Sequence, residues 1–327
     1  MRNELKIFNF VLRKKQNIAY IFITLFYTSR MAQEINKTPP PNTNEIEADY
    51  WTEEIAPKGS LFDLKLKEVW KYRDLIYLFV KRDFVAQYKQ TILGPMWHFI
   101  VPFMTTILYV IVFGNIMNVT TNGVHPFLFY LVSTLSWGFF AKCLQGTAVT
   151  FSANQGVFGK VYFPRLVTPI STIFSALLSF GISLLLLIGS FAYFYFFTDE
   201  KLILSIWVLT LPLLMAISGT LALGLGIIIS SLTSKYRDLT IFIGFGVQLL
   251  MFFSAVLYPL SQIPEKYEWA AKYNPLVTLM EGYRMAFLGV GSITILDVLY
   301  LGILSLVIFI IGIILFNRTE RTFMDTV

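Results

Sequence analysis

The stretch running from Asn154 through Gly159 and Lys160 to Val161 comes closest to a phosphate-binding loop in this sequence. Such loops need two glycines at fixed spacing, then Lys and Ser or Thr, because backbone N–H groups cradle the phosphates and the hydroxyl holds the metal. Asn154 occupies the first glycine position and Val161 the hydroxyl position. The expectation is that ATP and Mg bind to a separate subunit and that no cofactor sits in this chain. Carboxylates for a proton relay are scarce as well. Between Gly94 and Phe197 there is no Asp or Glu, and Asp199, Glu200, Asp238 and Asp297 fall in loops or at helix ends. Ionisable groups at membrane depth are costly and mark ion pathways, so this scarcity argues against secondary transport. His98 and His125 lie near opposite ends of one hairpin without partner ligands, and the single Cys143 excludes an internal disulfide or a multi-cysteine metal site. No metal is expected.

A few polar side chains fall inside apolar runs: Lys142, Gln145 and Gln248. They suit either a hydrophilic path or interhelical hydrogen bonds, and Lys142 can also snorkel to the interface. Ser171, Ser175, Ser179 and Ser183 recur every fourth residue, a small-residue stripe that suits close helix packing. Aromatics including Tyr130, Trp137, Phe140 and Tyr258 are expected to crowd the outer half of the protein. Most suit a core or an interfacial belt, and a subset could stack on sugar rings. With Lys142 and Gln248 these four make up the candidate translocation path.

The elements that must position these residues are membrane spans. Of 327 residues, 56 % are hydrophobic and 14 % charged, against roughly 25 % charged in a soluble domain. The formal charge of +6 flanks the apolar runs rather than forming a nucleic-acid-binding patch. Six runs approach the ~20 residues a span requires: Trp97–Met117, Phe127–Ala148, Pro169–Phe197, Leu204–Ser230, Leu239–Tyr258 and Ile295–Phe316. Lys and Arg concentrate before the first span, after the second and fourth, and in the tail. The positive-inside rule then places both termini in the cytoplasm.

Residues Met1–Arg30 carry a basic patch and an apolar run too short to span. They read either as an N-terminal extension or as sequence upstream of a start at Met31. Residues Asn36–Asp49, with Pro39-Pro40-Pro41 among polar residues, read as a flexible tether, and 1–58 together form the N-terminal extension and tether. Over Leu61–Tyr88, helical spacing puts Leu66, Val69, Trp70, Tyr77, Val80 and Phe84 on one face and Lys67, Lys71, Asp74 and Lys81 on another. This predicts one amphipathic helix, or two with a bend, lying against membrane lipids, with Trp70, Arg73, Arg82 and Tyr88 as its interfacial residues. In Pro259–Thr294, Pro264 opens a short helix, Asn274-Pro275 breaks it, and a second helix ends at Gly289. That pattern predicts a re-entrant or lid-like hairpin on the outer side.

Taken in order, several segments resemble the ABC-2 type permeases of the O-antigen and teichoic-acid export family. They are Tyr72-Arg73-Asp74-Leu75, Lys81-Arg82-Asp83-Phe84, Tyr88 through Trp97, Val112-Phe113-Gly114, Trp137, Asn154 through Arg165, Tyr236 through Leu239, Tyr258-Pro259, Ile263-Pro264, and Asn274-Pro275-Leu276 with Arg284. The resemblance implies an all-α integral membrane protein of the cell inner membrane. It would have six transmembrane helices, an N-terminal interfacial amphipathic helix (59–91), a transmembrane domain (92–320) and a short tail (321–327). The implied partners are an ATP-binding subunit, a second copy of the chain and a lipid-linked polysaccharide. Asn154, Gly159, Lys160, Phe163, Pro164 and Arg165 would form the ATPase-coupling loop, and Pro264, Trp269, Asn274, Pro275 and Arg284 the outer gate. Two rival classes are an ABC-2 exporter of small molecules, which shares the topology, and a membrane-embedded glycosyltransferase, which needs catalytic carboxylates near the membrane surface.

Overall fold

The computed structural model describes residues 66–158, 160–161, 163–198, 205–236 and 238–323, and these are helical with no strand among them. The proposed extension and tether (1–58), Gly159 and the last residues of the tail lie outside the described residues. Two helices, α1 (Leu66–Lys71) and α2 (Arg73–Tyr88), meet at a break at Tyr72. A 3-10 turn at Gly94–Met96 leads into α3 (Trp97–Tyr109), which continues as a π-helical stretch, Val110–Ile116. Then come α4 (Pro126–Ala148), α5 (Thr150–Phe158), α6 (Val167–Phe197), α7 (Leu211–Thr233), α8 (Leu239–Phe253), α9 (Glu265–Tyr273), α10 (Pro275–Leu288) and α11 (Ile295–Phe323).

Five segments are long and apolar enough to cross a bilayer: Gly94–Ile116, Pro126–Ala148, Val167–Phe197, Ile206–Thr233 and Ile295–Thr319. The sixth expected span is shorter than its hydropathy suggests. α8 has 15 residues, about 22 Å of helix against a hydrocarbon core of about 30 Å. It stops because Ala255 adopts a left-handed backbone (φ +53°), and the chain from Ser254 to Leu257 continues buried but unwound.

α4 is the centre of the bundle. Its core residues Leu131, Leu135, Phe140, Cys143 and Leu144 are buried together with Phe180 of α6, Leu221 of α7, and Leu279 and Tyr283 of α10. α7 and α11 approach backbone to backbone. A Cβ added at Gly224 would lie 2.8 Å from the Phe309 backbone, and one at Gly312 would lie 2.8 Å from the Gly224 carbonyl oxygen. Only glycines allow that contact, and small residues are what let apolar helices pack without a solvent-driven force.

The predicted lid has one surface helix and one core helix. α9 is exposed along most of its length, whereas α10 buries Leu276, Leu279, Met280, Glu281, Tyr283 and Arg284. The expected boundaries hold. Asn274 caps α10 by accepting a hydrogen bond from the Leu276 N–H (3.0 Å), Pro275 occupies its first turn, and Gly289 ends it at φ +68°.

Candidate functional site

At one end of the bundle an aromatic cluster ties α2, α5, the segment after α5, and α11 together. Phe163 stands 5.9 Å from Phe79 and 5.7 Å from Phe158, and Phe151 stacks on Phe316 at 4.7 Å. Each such pair contributes about 0.5–1.5 kcal/mol beyond area burial. Arg165 is buried, with its guanidinium carbon 5.4 Å from the Phe158 ring centre. Asn154 binds back to its own helix, its amide donating to the Thr150 carbonyl at 3.0 Å. Pro164 is half-buried, and the surface of this segment is formed by Gln155, Gly156, Lys160 and Val161. The segment therefore has an exposed edge and a rigid apolar root.

Val69 of α1, on the predicted apolar face, and Phe79 of α2, off it, meet this root. Val69 and Phe79 are buried, while Trp70 and Tyr77 are each 69 % exposed. The break at Tyr72 separates the two helices, and the root packs Phe79 while Trp70 and Tyr77 stay outward. Arg82 lies over Phe79 (4.6 Å) and pairs with Asp83 (2.8 Å), while Arg73 is exposed beside Asp74 (4.0 Å). The Tyr88 hydroxyl is hydrogen-bonded to Nε2 of His98, joining the end of α2 to the start of α3.

A second constellation surrounds Arg284, which is buried inside α10 rather than placed at a gate surface. Its Nη1 donates to Glu281 Oε1 at 2.9 Å and to the Tyr258 carbonyl at 3.3 Å. Nη2 donates to the carbonyls of Ala255 (2.5 Å) and Val256 (2.9 Å), and Nε and Nη2 both reach Ser133 Oγ of α4 (3.1 and 3.0 Å). The guanidinium also stacks over Phe129 at 4.1 Å. Unwinding after α8 frees carbonyls that would be unsatisfied in an apolar interior. Arg284 supplies the donors and Glu281 the balancing charge. Asn274 adds a further tie, its amide donating to the Phe253 carbonyl at 2.9 Å. Pro264 precedes α9, and Trp269 on α9 is 68 % exposed.

A third feature is a lateral groove between α2, α3, α4 and α6. Two cavities of about 430 and 330 Å³ share Gln87, Gly138, Lys142 and Ser179. Lys142 Nζ donates to Ser179 Oγ (2.5 Å) and to Gln87 Oε1 (3.4 Å). The serine stripe of α6 faces this groove: Ser175, Ser179 and Ser183 line it, and Ser183 also donates to the His98 carbonyl at 3.1 Å. The other candidate path residues lie elsewhere. Tyr130, Trp137 and Phe140 are buried in the core, Tyr258 is half-buried beside Arg284, and Gln248 is on the exposed side of α8. Of the six, only Lys142 meets a cavity described here.

Residues 74–288 match the family described as ABC-2 type transporter. The chain belongs to this family. The match runs from the first turn of α2 to the last residue of α10, so it takes in the Arg284 constellation, the groove and the aromatic root of this ABC-2 chain apart from Phe316. Among its relatives is an O-antigen export system permease protein RfbA of Klebsiella pneumoniae, 28 % identical over 253 residues, covering 77 % of this chain and 94 % of the relative. A protein of the same name from Myxococcus xanthus is 30 % identical over 225 residues, covering 68 % and 83 %. A polysialic acid transport protein KpsM of Escherichia coli is 28 % identical over 251 residues, covering 75 % and 93 %.

Sequence reasoning about this ABC-2 chain missed Glu281. The spacing Glu281-x-x-Arg284 was the available signal, since residues three apart share a helix face. It is easily passed over because the pair sits between two spans, in the second helix of the expected hairpin.

Proposed function

We propose that this chain is the permease subunit of an ABC exporter of lipid-linked polysaccharide, an O-antigen or related surface glycan, in the cytoplasmic membrane. The observation that carries the reading is the near full-length similarity to relatives named for O-antigen export and polysialic acid transport. On this reading both termini are cytoplasmic, two copies of the chain assemble, and a separate ATP-binding subunit with its Mg supplies the energy.

The aromatic root supports a route for that energy. The ATPase would dock on Gln155, Gly156, Lys160 and Val161, the exposed edge of the segment after α4. Closure of the ATPase would then push a rigid root, because Phe158, Phe163 and Arg165 are buried against Phe79, Val167 and Phe316. Motion would reach α2, α6 and α11 together. Such coupling requires the loop to contact the ATPase differently in its two states, since only a differential interaction shifts an equilibrium.

The test is genetic and chemical. Deleting the gene should leave full-length glycan inside the cell and strip it from the surface, and restoring the chain should reverse both. Normal surface glycan in the deletion strain would refute the reading.

A further inference from the structure

We propose that the lateral groove at Lys142 is a binding site for a lipid with an anionic phosphate head. The phosphate would sit at Lys142 and the hydrocarbon tail along α3, α4 and α6. The inference goes beyond the proposed function, because it rests on the groove and not on the cargo.

Four observations carry it. First, Lys142 lies six residues from the end of α4, about 9 Å along the helix. From such a position near a helix end, a lysine stem can reach an interfacial headgroup. Second, among the described residues no carboxylate forms a direct ion pair with Lys142. Both acceptors, Ser179 Oγ and Gln87 Oε1, are neutral, and an ammonium has three donors. Asp83 lines the same cavity but is held by Arg82, whose Nε and Nη2 donate to Oδ1 at 2.9 and 2.8 Å. The direct hydrogen-bond partners of Lys142 are neutral and Asp83 is shared with Arg82, so the cost of a partly buried cation inside a span is offset only in part, and an anionic ligand would offset it further. Third, Ser175 Oγ and Thr134 Oγ1, which line the two cavities, are buried hydroxyls without a hydrogen-bond partner in the protein. Ser175 Oγ, one turn from Ser179, is a spare donor for a phosphate oxygen at Lys142, whereas Thr134, about 12 Å along α4 from Lys142, lies toward the tail zone. Fourth, a separate apolar cavity of about 690 Å³ lies between the same α3, α4 and α6. It is lined by Phe99, Phe103, Phe127, Leu185 and Gly189 among others. Polar and apolar zones along one set of helices fit an amphiphile and not a free anion. Basic pockets between spans are a known way of holding acidic lipid heads.

The test uses the purified full-length chain in nanodiscs of phosphatidylcholine doped with phosphatidic acid, with retained lipid read by native mass spectrometry. Wild type should retain phosphatidic acid in preference to phosphatidylcholine. Lys142→Gln should weaken that preference about tenfold, the loss of one hydrogen-bonded charge contact, and Lys142→Arg should keep it. Lys272→Gln, which removes an exposed charge on α9, should leave it unchanged. Gly189→Phe points a ring into the tail zone from a position with nothing within 4 Å of its Cβ, and should lower lipid retention without touching Lys142. Retention by Lys142→Gln equal to wild type overturns the proposal. So does inorganic phosphate displacing the lipid from wild type as effectively as excess phosphatidic acid, because the tail would then contribute nothing. Since the assay needs neither ATPase nor glycan, its failure leaves the exporter reading standing, and failure of the exporter reading leaves this site standing.

Discussion

Arg284 and Glu281 form an ion pair 2.9 Å apart within α10, three residues from each other and both buried. The pair does not staple two helices as an ordinary salt bridge would. It lets one guanidinium serve three backbone carbonyls of the unwound segment after α8 while reaching Ser133 on α4. The irregular backbone between α8 and α9 exists because this cation is there to receive it.

Removing that cation should therefore be severe. Arg284→Met strands a buried carboxylate and several carbonyls, and should lower stability by about 3–5 kcal/mol. Glu281→Gln combined with Arg284→Met should recover part of the loss, because the stranded charge is gone while the carbonyls remain unmet. Thermal unfolding in detergent, followed by intrinsic fluorescence, checks the order wild type, double variant, Arg284→Met.

The α7–α11 contact makes a different prediction. Gly224→Ala puts a methyl 2.8 Å from the Phe309 backbone, where no flexible side chain can yield. Overpacking of this kind costs about 1–3 kcal/mol. Gly244→Ala on α8, with nothing within 4 Å of its Cβ, should be neutral or slightly stabilising. Melting temperatures of the two variants measured side by side provide the comparison.

The segment after α4 should separate docking from transmission. Lys160→Glu alters an exposed side chain and should reduce co-purification with the ATPase subunit while the chain's own melting temperature stays within error. Phe163→Ala empties the root and should lower that melting temperature. Arg165→Ala should insert normally yet uncouple ATP hydrolysis from export, because its side chain is buried against Phe158. Pull-down, melting and coupled ATPase assays together distinguish the three.

Much of this architecture was legible in the sequence, and the exceptions share a cause. Hydropathy marks long spans well, and Asn274-Pro275 and Gly289 punctuate α10 because their backbone requirements are local. The end of α8 was not legible. The apolar run continues through Val256 and Leu257, and what halts the helix is a left-handed Ala255 stabilised by a cation 29 residues away. That Phe79 of α2 would be buried was not legible for a similar reason. Leu75, Ile76, Tyr77, Leu78, Phe79 and Val80 are contiguous and mostly apolar, so periodicity cannot choose a face. The choice falls to Phe163 and Phe158, which lie far along the chain. Lys142 stood out by type, but its groove is assembled from four helices and only the fold brings Ser179 and Gln87 to it.

The most direct test of the account is reconstitution. The chain and its ATPase subunit are placed together in liposomes with lipid-linked glycan on the ATPase side, and glycan reaching the lumen is measured with and without ATP. The account predicts luminal glycan only when both subunits and ATP are present, and its loss when Arg165 is replaced by Ala. Accumulation by this chain alone, without the ATPase, would contradict it.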